Sequence, residues 1–316
     1  MRGRLRLLCP VLATIVLVGT TARRALGQDC SVSTTIRVLD NQLHPVANIT
    51  ADQLEAEIGS TPARISSISQ TAKPTVILML DASGSMRATW NQSIAAAKQL
   101  VGMAEDIDTF VFQDKIHGYA IGRPESEKLL ERLSTPPAMH PRTSLYDSLI
   151  EVADRVKTRN AAIVVISDGE DNASTHLAHA TASLFSRSSW PPVFALILGK
   201  ENNGDSDALP APRYLDMAPL ASRRNLDFLE VPSVTGGLVV YSPSASKVPA
   251  TMEGLAAAVL SPFVLTLKPS TPLSKPARLK VRVAKVEGKP GPDFRIVHVA
   301  EVAGCDGAPG SSGSQH

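Results

Sequence analysis

Residues 75–81 (Thr-Val-Ile-Leu-Met-Leu-Asp) and 161–167 (Ala-Ala-Ile-Val-Val-Ile-Ser) are apolar at almost every position. Neither shows the two-residue alternation of a half-exposed strand, so each reads as a strand buried on both faces. Residues 192–198 repeat the pattern. Segments with helical spacing lie between and after these runs, over 90–105, 126–133, 144–158, 176–186, 215–223 and 247–260. Short strands at 109–113 and 115–120, joined by an Asp114-Lys115 turn, a short extended piece at 226–231 and a strand at 237–241 complete the region. Strand and helix thus alternate from Pro74 to Pro262, which implies βαβ units. The expected class is α/β, a doubly wound, mostly parallel sheet with helices on both faces.

The flanks read differently. Residues 34–40 and 63–70 alternate as strands, and 50–58 carry both a helix N-cap signal at Thr50 and a strand pattern. After Pro262, residues 263–267, 277–286 and 294–302 alternate again, separated by Pro- and Gly-rich turns. Neither flank is long enough to bury a core alone. The expected organisation is an N-terminal β segment (28–73), a central α/β domain (74–262) and a C-terminal β segment (263–305) packing with the first as a small β module. Residues 306–316 are Gly, Ser and Pro without an apolar pattern and read as a disordered tail.

The first 27 residues read as a secretory signal. Arg2, Arg4 and Arg6 precede an apolar run from Leu7 to Gly19, too short to span a bilayer comfortably, and Ala25-Leu26-Gly27 offers small residues for cleavage before Gln28. The mature chain is then expected to be secreted or periplasmic, with no transmembrane segment. Cys9 leaves with the signal, so Cys30 and Cys305 remain near the two ends, and in an oxidising compartment they can bridge if those ends meet. Hydrophobic residues make up 43% of the chain and the net charge is only +2, without long charged runs. That gives ample core and argues against a nucleic-acid surface.

Candidate chemistry sits where the apolar strands end. Asp81 closes the first, and Ser83 and Ser85 follow at alternate positions. Two hydroxyls and a carboxylate suit a hard divalent cation, although Asp-x-Ser-x-Ser alone reads equally as a helix cap. Thr143 precedes a helix and offers a third hydroxyl, and Asp168 ends the second apolar strand. With a strand order of 3-2-1-4-5-6, the strands ending in Asp81 and Asp168 are neighbours at the reversal, where open α/β sheets bind ligands.

Asp81, Ser83, Ser85, Thr143 and Asp168 resemble, complete and in order, the metal-ion-dependent adhesion site of the von Willebrand factor A-type domain; the resemblance covers roughly Pro74 to Pro262. With its β flanks, the chain is also similar to a bacterial von Willebrand factor A-related group of secreted acidobacterial proteins. The resemblance implies Mg²⁺, replaceable by Ca²⁺ or Mn²⁺, held by Ser and Thr hydroxyls, with the Asp carboxylates acting largely through water. It further implies an open coordination position that accepts an Asp or Glu side chain of a partner protein. Arg142 departs from the family's usual Gly before the Thr.

Other signals are weaker. Asp171, Asn172 and Ser174 are expected to shape a loop rim and cap a helix, and residues 201–207 lack calcium-loop spacing. His176 and His179 lie one helical turn apart without an acidic partner marking a zinc site. No nucleophile–base pair, Walker loop or Cys-x-x-Cys is present. The expected role is therefore a non-enzymatic, extracytoplasmic, metal-dependent protein-binding module. The alternatives are a structural envelope component whose metal stabilises the fold, or a metal-dependent hydrolase.

Overall fold

The computed structural model describes residues 30–188, 190–199, 227–242, 244–284 and 294–304. The expected signal segment, the helix at 215–223, the loop at 201–207, Cys305 and the tail lie outside the described residues. Two sheets organise the chain. The first is six-stranded, built from β4 (Thr75–Asp81), β5 (Ile107–Phe112), β6 (Ile116–Ala120), β7 (Ala161–Ser167), β8 (Val193–Leu198) and β9 (Val239–Ser242), in the order β6-β5-β4-β7-β8-β9. All its pairings are parallel except β5–β6. The order is the doubly wound one expected, and β4 and β7 are neighbours at the reversal.

The continuous apolar runs follow from burial on both faces. Along β4, Val76, Leu78 and Leu80 face a core shared with α1 (Trp90–Met103), α2 (Arg123–Arg132) and α6 (Val248–Leu260), while Ile77 and Met79 face α3 (Leu145–Val156), α4 (Ala178–Arg187) and α5 (Glu230–Thr235). Each of these five side chains is fully buried, worth about 1.5–3 kcal/mol apiece for the larger ones. From Val76 to Leu80 no residue has a solvent face that would call for a polar side chain, so no alternation appears.

The second sheet joins the flanks: β1 (Val32–Leu39), β2 (Leu54–Ile58) and β3 (Thr61–Gln70) from before the α/β domain, β10 (Phe263–Pro269), β11 (Ala277–Val283), β12 (Arg295–His298) and β13 (Glu301–Val302) from after it. Its order is β12-β1-β10-β3-β2-β11-β13, antiparallel throughout. Only Val299 and Ala300 separate β12 from β13, so one bent strand supplies both edges and the ladder closes into a barrel around Ile36, Val38, Leu265, Leu267 and Leu279. The Leu279 N–H donates to the Ala300 carbonyl (2.9 Å) across the closure. The α/β domain is inserted between β3 and β10, which are adjacent strands with Gln70 opposite Phe263. The chain therefore enters and leaves the domain at one place, where the Thr71 N–H donates to the Pro262 carbonyl (3.2 Å).

Three local expectations change. Residues 226–231 were expected to be extended; those described form a short 3-10 turn (Asp227–Leu229) leading into α5. Phe228 and Val231, three apart, are both fully buried against the α/β core, and Pro232 sits in the first helical turn, where its missing N–H costs nothing. The strand expected over 294–302 is broken because Val299 packs against Gly236: a Cβ there would lie 2.7 Å from the Val299 nitrogen, and Gly236 has φ +74°. Residues 50–58 satisfy both patterns in turn, with Thr50 and Gln53 forming a capping box on a 3-10 turn ahead of β2.

Arg37, on β1, joins the two bodies. It is 2% exposed, donates to the carbonyls of Ala258 (3.1 Å) and Gly236 (3.3 Å), and lies 4.6 Å over the Phe194 ring. It thus caps the C-terminal ends of α5 and α6, where the helix dipoles favour a cation. Burial lowers its pKa to about 9, which leaves it charged at neutral pH.

Candidate metal centre

The carboxyl ends of β4 and β7 carry the candidate ligands. The ladder that pairs Leu80 with Ile166 brings Asp81 beside Ser167, with Asp168 immediately beyond. Asp81 is fully buried, and both its oxygens are engaged: Oδ1 accepts the Ser83 N–H (2.9 Å) and Oδ2 accepts the Ser167 hydroxyl (2.7 Å). Burial pushes the Asp81 carboxyl up, its hydrogen bonds with Ser167 and Ser83 pull it back, and the nearby Asp168 charge raises it again; the outcome is about 7. Replacing that burial penalty is what a cation beside the carboxylate would do.

The Ser83 and Ser85 hydroxyls lie 3.1 Å apart. Neighbouring oxygens in an octahedral Mg²⁺ shell, bonded at about 2.0–2.1 Å, sit about 2.9 Å apart. The serine pair therefore fits adjacent positions of one such shell. Thr143, 2% exposed, sits on one of three loops that are stitched together. The Gly84 N–H donates to the His140 carbonyl (2.7 Å), the Thr143 N–H donates to Asn172 Oδ1 (2.8 Å), and the Asn172 and Ala173 N–H groups donate to the Thr143 carbonyl (3.0 and 2.9 Å). Asp168 is 9% exposed, and its Oδ1 accepts the Glu170 N–H (3.1 Å). Among the described residues no group of three or more His, Cys, Asp or Glu forms a metal cage. The donor set here is hydroxyl-rich, with two carboxylates, which suits a hard cation rather than zinc.

Asp171, Asn172 and Ser174 do shape the rim. Asp171 Oδ2 accepts the N–H groups of Leu145 (2.7 Å) and Tyr146 (3.1 Å) at the start of α3, and the Ser174 hydroxyl (2.6 Å). His176 and His179 each turn Nδ1 to a carboxylate, Asp147 and Glu230, at 2.7 Å. Partial burial raises the Asp147 carboxyl, but bonds from Thr175 and His176 outweigh it and hold the group down at about 2. Sequence reading missed Ser167. Its signal was a hydroxyl at the last position of an otherwise apolar strand, on the face that Asp81 shares.

The family model described as VWA domain containing CoxE-like protein matches residues 37–201, just over half of the chain. The chain belongs to this von Willebrand factor A family. Comparison with curated proteins finds no match. Among solved structures, an aerotolerance-related membrane protein from Bacteroides fragilis, carrying multiple mutations to serines, is 19% identical with a TM-score of 0.44, covering 59% of this chain and 98% of its own. A von Willebrand factor type A protein from Catenulispora acidiphila is 8% identical with a TM-score of 0.45, covering 86% and 75%. The manganese-loaded TRAP protein of Plasmodium vivax is 11% identical with a TM-score of 0.38, covering 74% and 96%. Among the described residues no helix is long and apolar enough to cross a membrane.

Proposed function

We propose that the protein is a non-enzymatic, extracytoplasmic binding module that holds Mg²⁺, or Ca²⁺ or Mn²⁺, with Ser83, Ser85 and Thr143. Asp81 and Asp168 would hold the ion largely through water. A cation held mainly by neutral hydroxyls stays strongly electrophilic and can take an Asp or Glu side chain from a partner protein in an open position. The single observation carrying this reading is the serine hydroxyl pair, at the spacing of adjacent octahedral ligands, in front of a buried carboxylate.

The non-enzymatic part draws on a histidine–carboxylate–hydroxyl group near the rim, among the described residues. Thr175 Oγ1 and Asp147 both meet His176 at Nδ1. A proton relay needs the hydroxyl on the other ring nitrogen. The extracytoplasmic part draws on the leader pattern and on Cys30, which is disulfide-bonded. Cys305 is the proposed partner: Gly304 lies against Leu273 and Lys275, just past β10, whose Leu267 pairs with Val32.

The test is calorimetric Mg²⁺ titration of the full chain, followed by pull-down from envelope extract with and without chelator, with Asp81→Ala as control. Saturable Mg²⁺ binding and a chelator-sensitive partner lost in the variant are expected. Absence of divalent-ion binding ends the proposal. The burial of Asp81 favours one second reading, an envelope component whose ion serves only the fold. It predicts Mg²⁺-dependent melting with no chelator-sensitive partner.

A further inference from the structure

Two arginines lie on the loops that carry the candidate hydroxyls. Arg87 lies two residues after Ser85 and Arg142 immediately before Thr143, and both are exposed. Among the described residues, neither guanidinium has a hydrogen-bonding or ion-pair partner. Their loops are in contact: besides the Gly84–His140 hydrogen bond, a Cβ on Gly84 would lie 3.3 Å from the His140 oxygen and 3.4 Å from Pro141 Cα. The Arg142 backbone is fixed, since its N–H donates to His140 Nδ1 (3.3 Å).

Three carboxylates of neighbouring loops have partners other than these arginines. Asp114 takes His117 (2.7 Å), Asp171 caps α3, and Asp147 holds Thr175 and His176. Glu170 lies on the β7 loop, two residues after Asp168, to which its N–H donates (3.1 Å). Among the described residues, both guanidinium groups are thus unpaired charges on the touching 84–89 and 140–143 loops.

We infer that Arg87 and Arg142 read a second acidic side chain, so that the partner segment is an acidic peptide carrying two carboxylates a few residues apart. This rests on the proposed metal reading. One carboxylate completes the cation's shell, and the other meets the planar donors of the arginines, which favour carboxylates and steer anionic partners. A lone surface arginine contributes little. Beside a site that already immobilises one end of the ligand, the second contact is made without a further loss of translational freedom.

The experiment uses the full chain and three labelled Gly/Ser peptides, bearing one Asp, two Asp separated by two residues, or one phosphoserine, read by fluorescence polarisation in Mg²⁺. Mn²⁺ titration followed by electron paramagnetic resonance reports the ion site separately. The two-Asp peptide is expected to bind about tenfold more tightly than the one-Asp peptide, one tenfold step in affinity. The advantage should shrink with added salt and disappear in R87A/R142A while Mn²⁺ titration is unchanged. Equal, metal-dependent binding of the two Asp peptides overturns the arginine reading and leaves the ion site standing. Tightest binding of the phosphoserine peptide overturns the carboxylate assignment. Binding of Mn²⁺ with no peptide bound overturns the inference as well. Failure to bind Mn²⁺ removes the proposed function itself.

Discussion

Ser167 and Asp81 stand side by side at the ends of neighbouring parallel strands, and the serine hydroxyl donates to the buried carboxylate at 2.7 Å. The same hydroxyl oxygen accepts the Gly169 N–H (2.9 Å), so it ties Asp81 to the loop that carries Asp168. Ser167→Ala leaves a buried carboxylate oxygen without its donor. It should destabilise the metal-free protein by about 1–3 kcal/mol and weaken Mg²⁺ binding about tenfold or more, as loss of a residue orienting a ligand does. Urea unfolding in chelator and Mg²⁺ titration measure the two effects. Unchanged Mg²⁺ affinity would show that the hydroxyl does not orient Asp81.

Asp81→Asn keeps the shape and removes the charge. Because burial disfavours the Asp81 carboxylate, the variant should be as stable as the parent in chelator at pH 8, or more so. It should also lose the rise in melting temperature that Mg²⁺ gives the parent. Paired thermal melts with Mg²⁺ and with chelator decide this, and a retained Mg²⁺ response would remove Asp81 from the ligand set.

Arg37 is the clamp between barrel and α/β domain. Arg37→Met leaves the carbonyls of Ala258 and Gly236 without their donor. The expected cost is about 2–6 kcal/mol, from two buried acceptors left unsatisfied at about 1–3 kcal/mol each. Unfolding should also separate into two transitions, read by tryptophan fluorescence for the α/β domain, which holds Trp90, and by far-ultraviolet circular dichroism for the whole chain. Arg37→Lys should recover little, since a single ammonium cannot reproduce the guanidinium fork. A single transition within about 0.5 kcal/mol of the parent, the range of neutral surface changes, would refute the clamp.

His298 helps to seal the barrel. Its Nε2 accepts the Val281 N–H (3.2 Å), and Nδ1 lies 2.6 Å from the Val299 carbonyl, so the neutral ring with the proton on Nδ1 satisfies both. Burial lowers its pKa, outweighing the opposing hydrogen bond to Val299. The unfolded chain therefore takes up a proton near pH 6.5 that the folded ring resists. This contribution is complete above about pH 6.5 and is lost as pH falls toward and through the depressed folded value. His298→Asn should flatten that segment of the stability profile, measured by denaturant unfolding between pH 7.5 and pH 5. An unaltered slope would locate the acid sensitivity elsewhere.

The central fold was legible because it depends on composition along single strands. Strands buried on both faces must be apolar throughout, and β4, β7 and β8 announce themselves. The ligand candidates were legible because Asp81 and Asp168 are charges placed where such strands stop. Ser167 was not, because a serine at a strand end has many uses until register places it opposite Asp81. The closure of the barrel was also hidden. It depends on a bend at Val299 that answers Gly236, far away in sequence, and no local pattern encodes that meeting. Arg37 looked like one more outward residue of an alternating strand until the docked α/β domain covered it.

Insertion of one domain between adjacent strands sets an order on biosynthesis. β3 has its neighbour β10 only after residues 71–262 have been made, a delay on the order of ten to forty seconds at ordinary translation rates. Until then the first three strands present bare edges, the kind of surface that invites association between chains. Truncation before residue 263 would make that waiting state permanent: a globule able to complete its parallel sheet, attached to half a barrel with no lid for its seam.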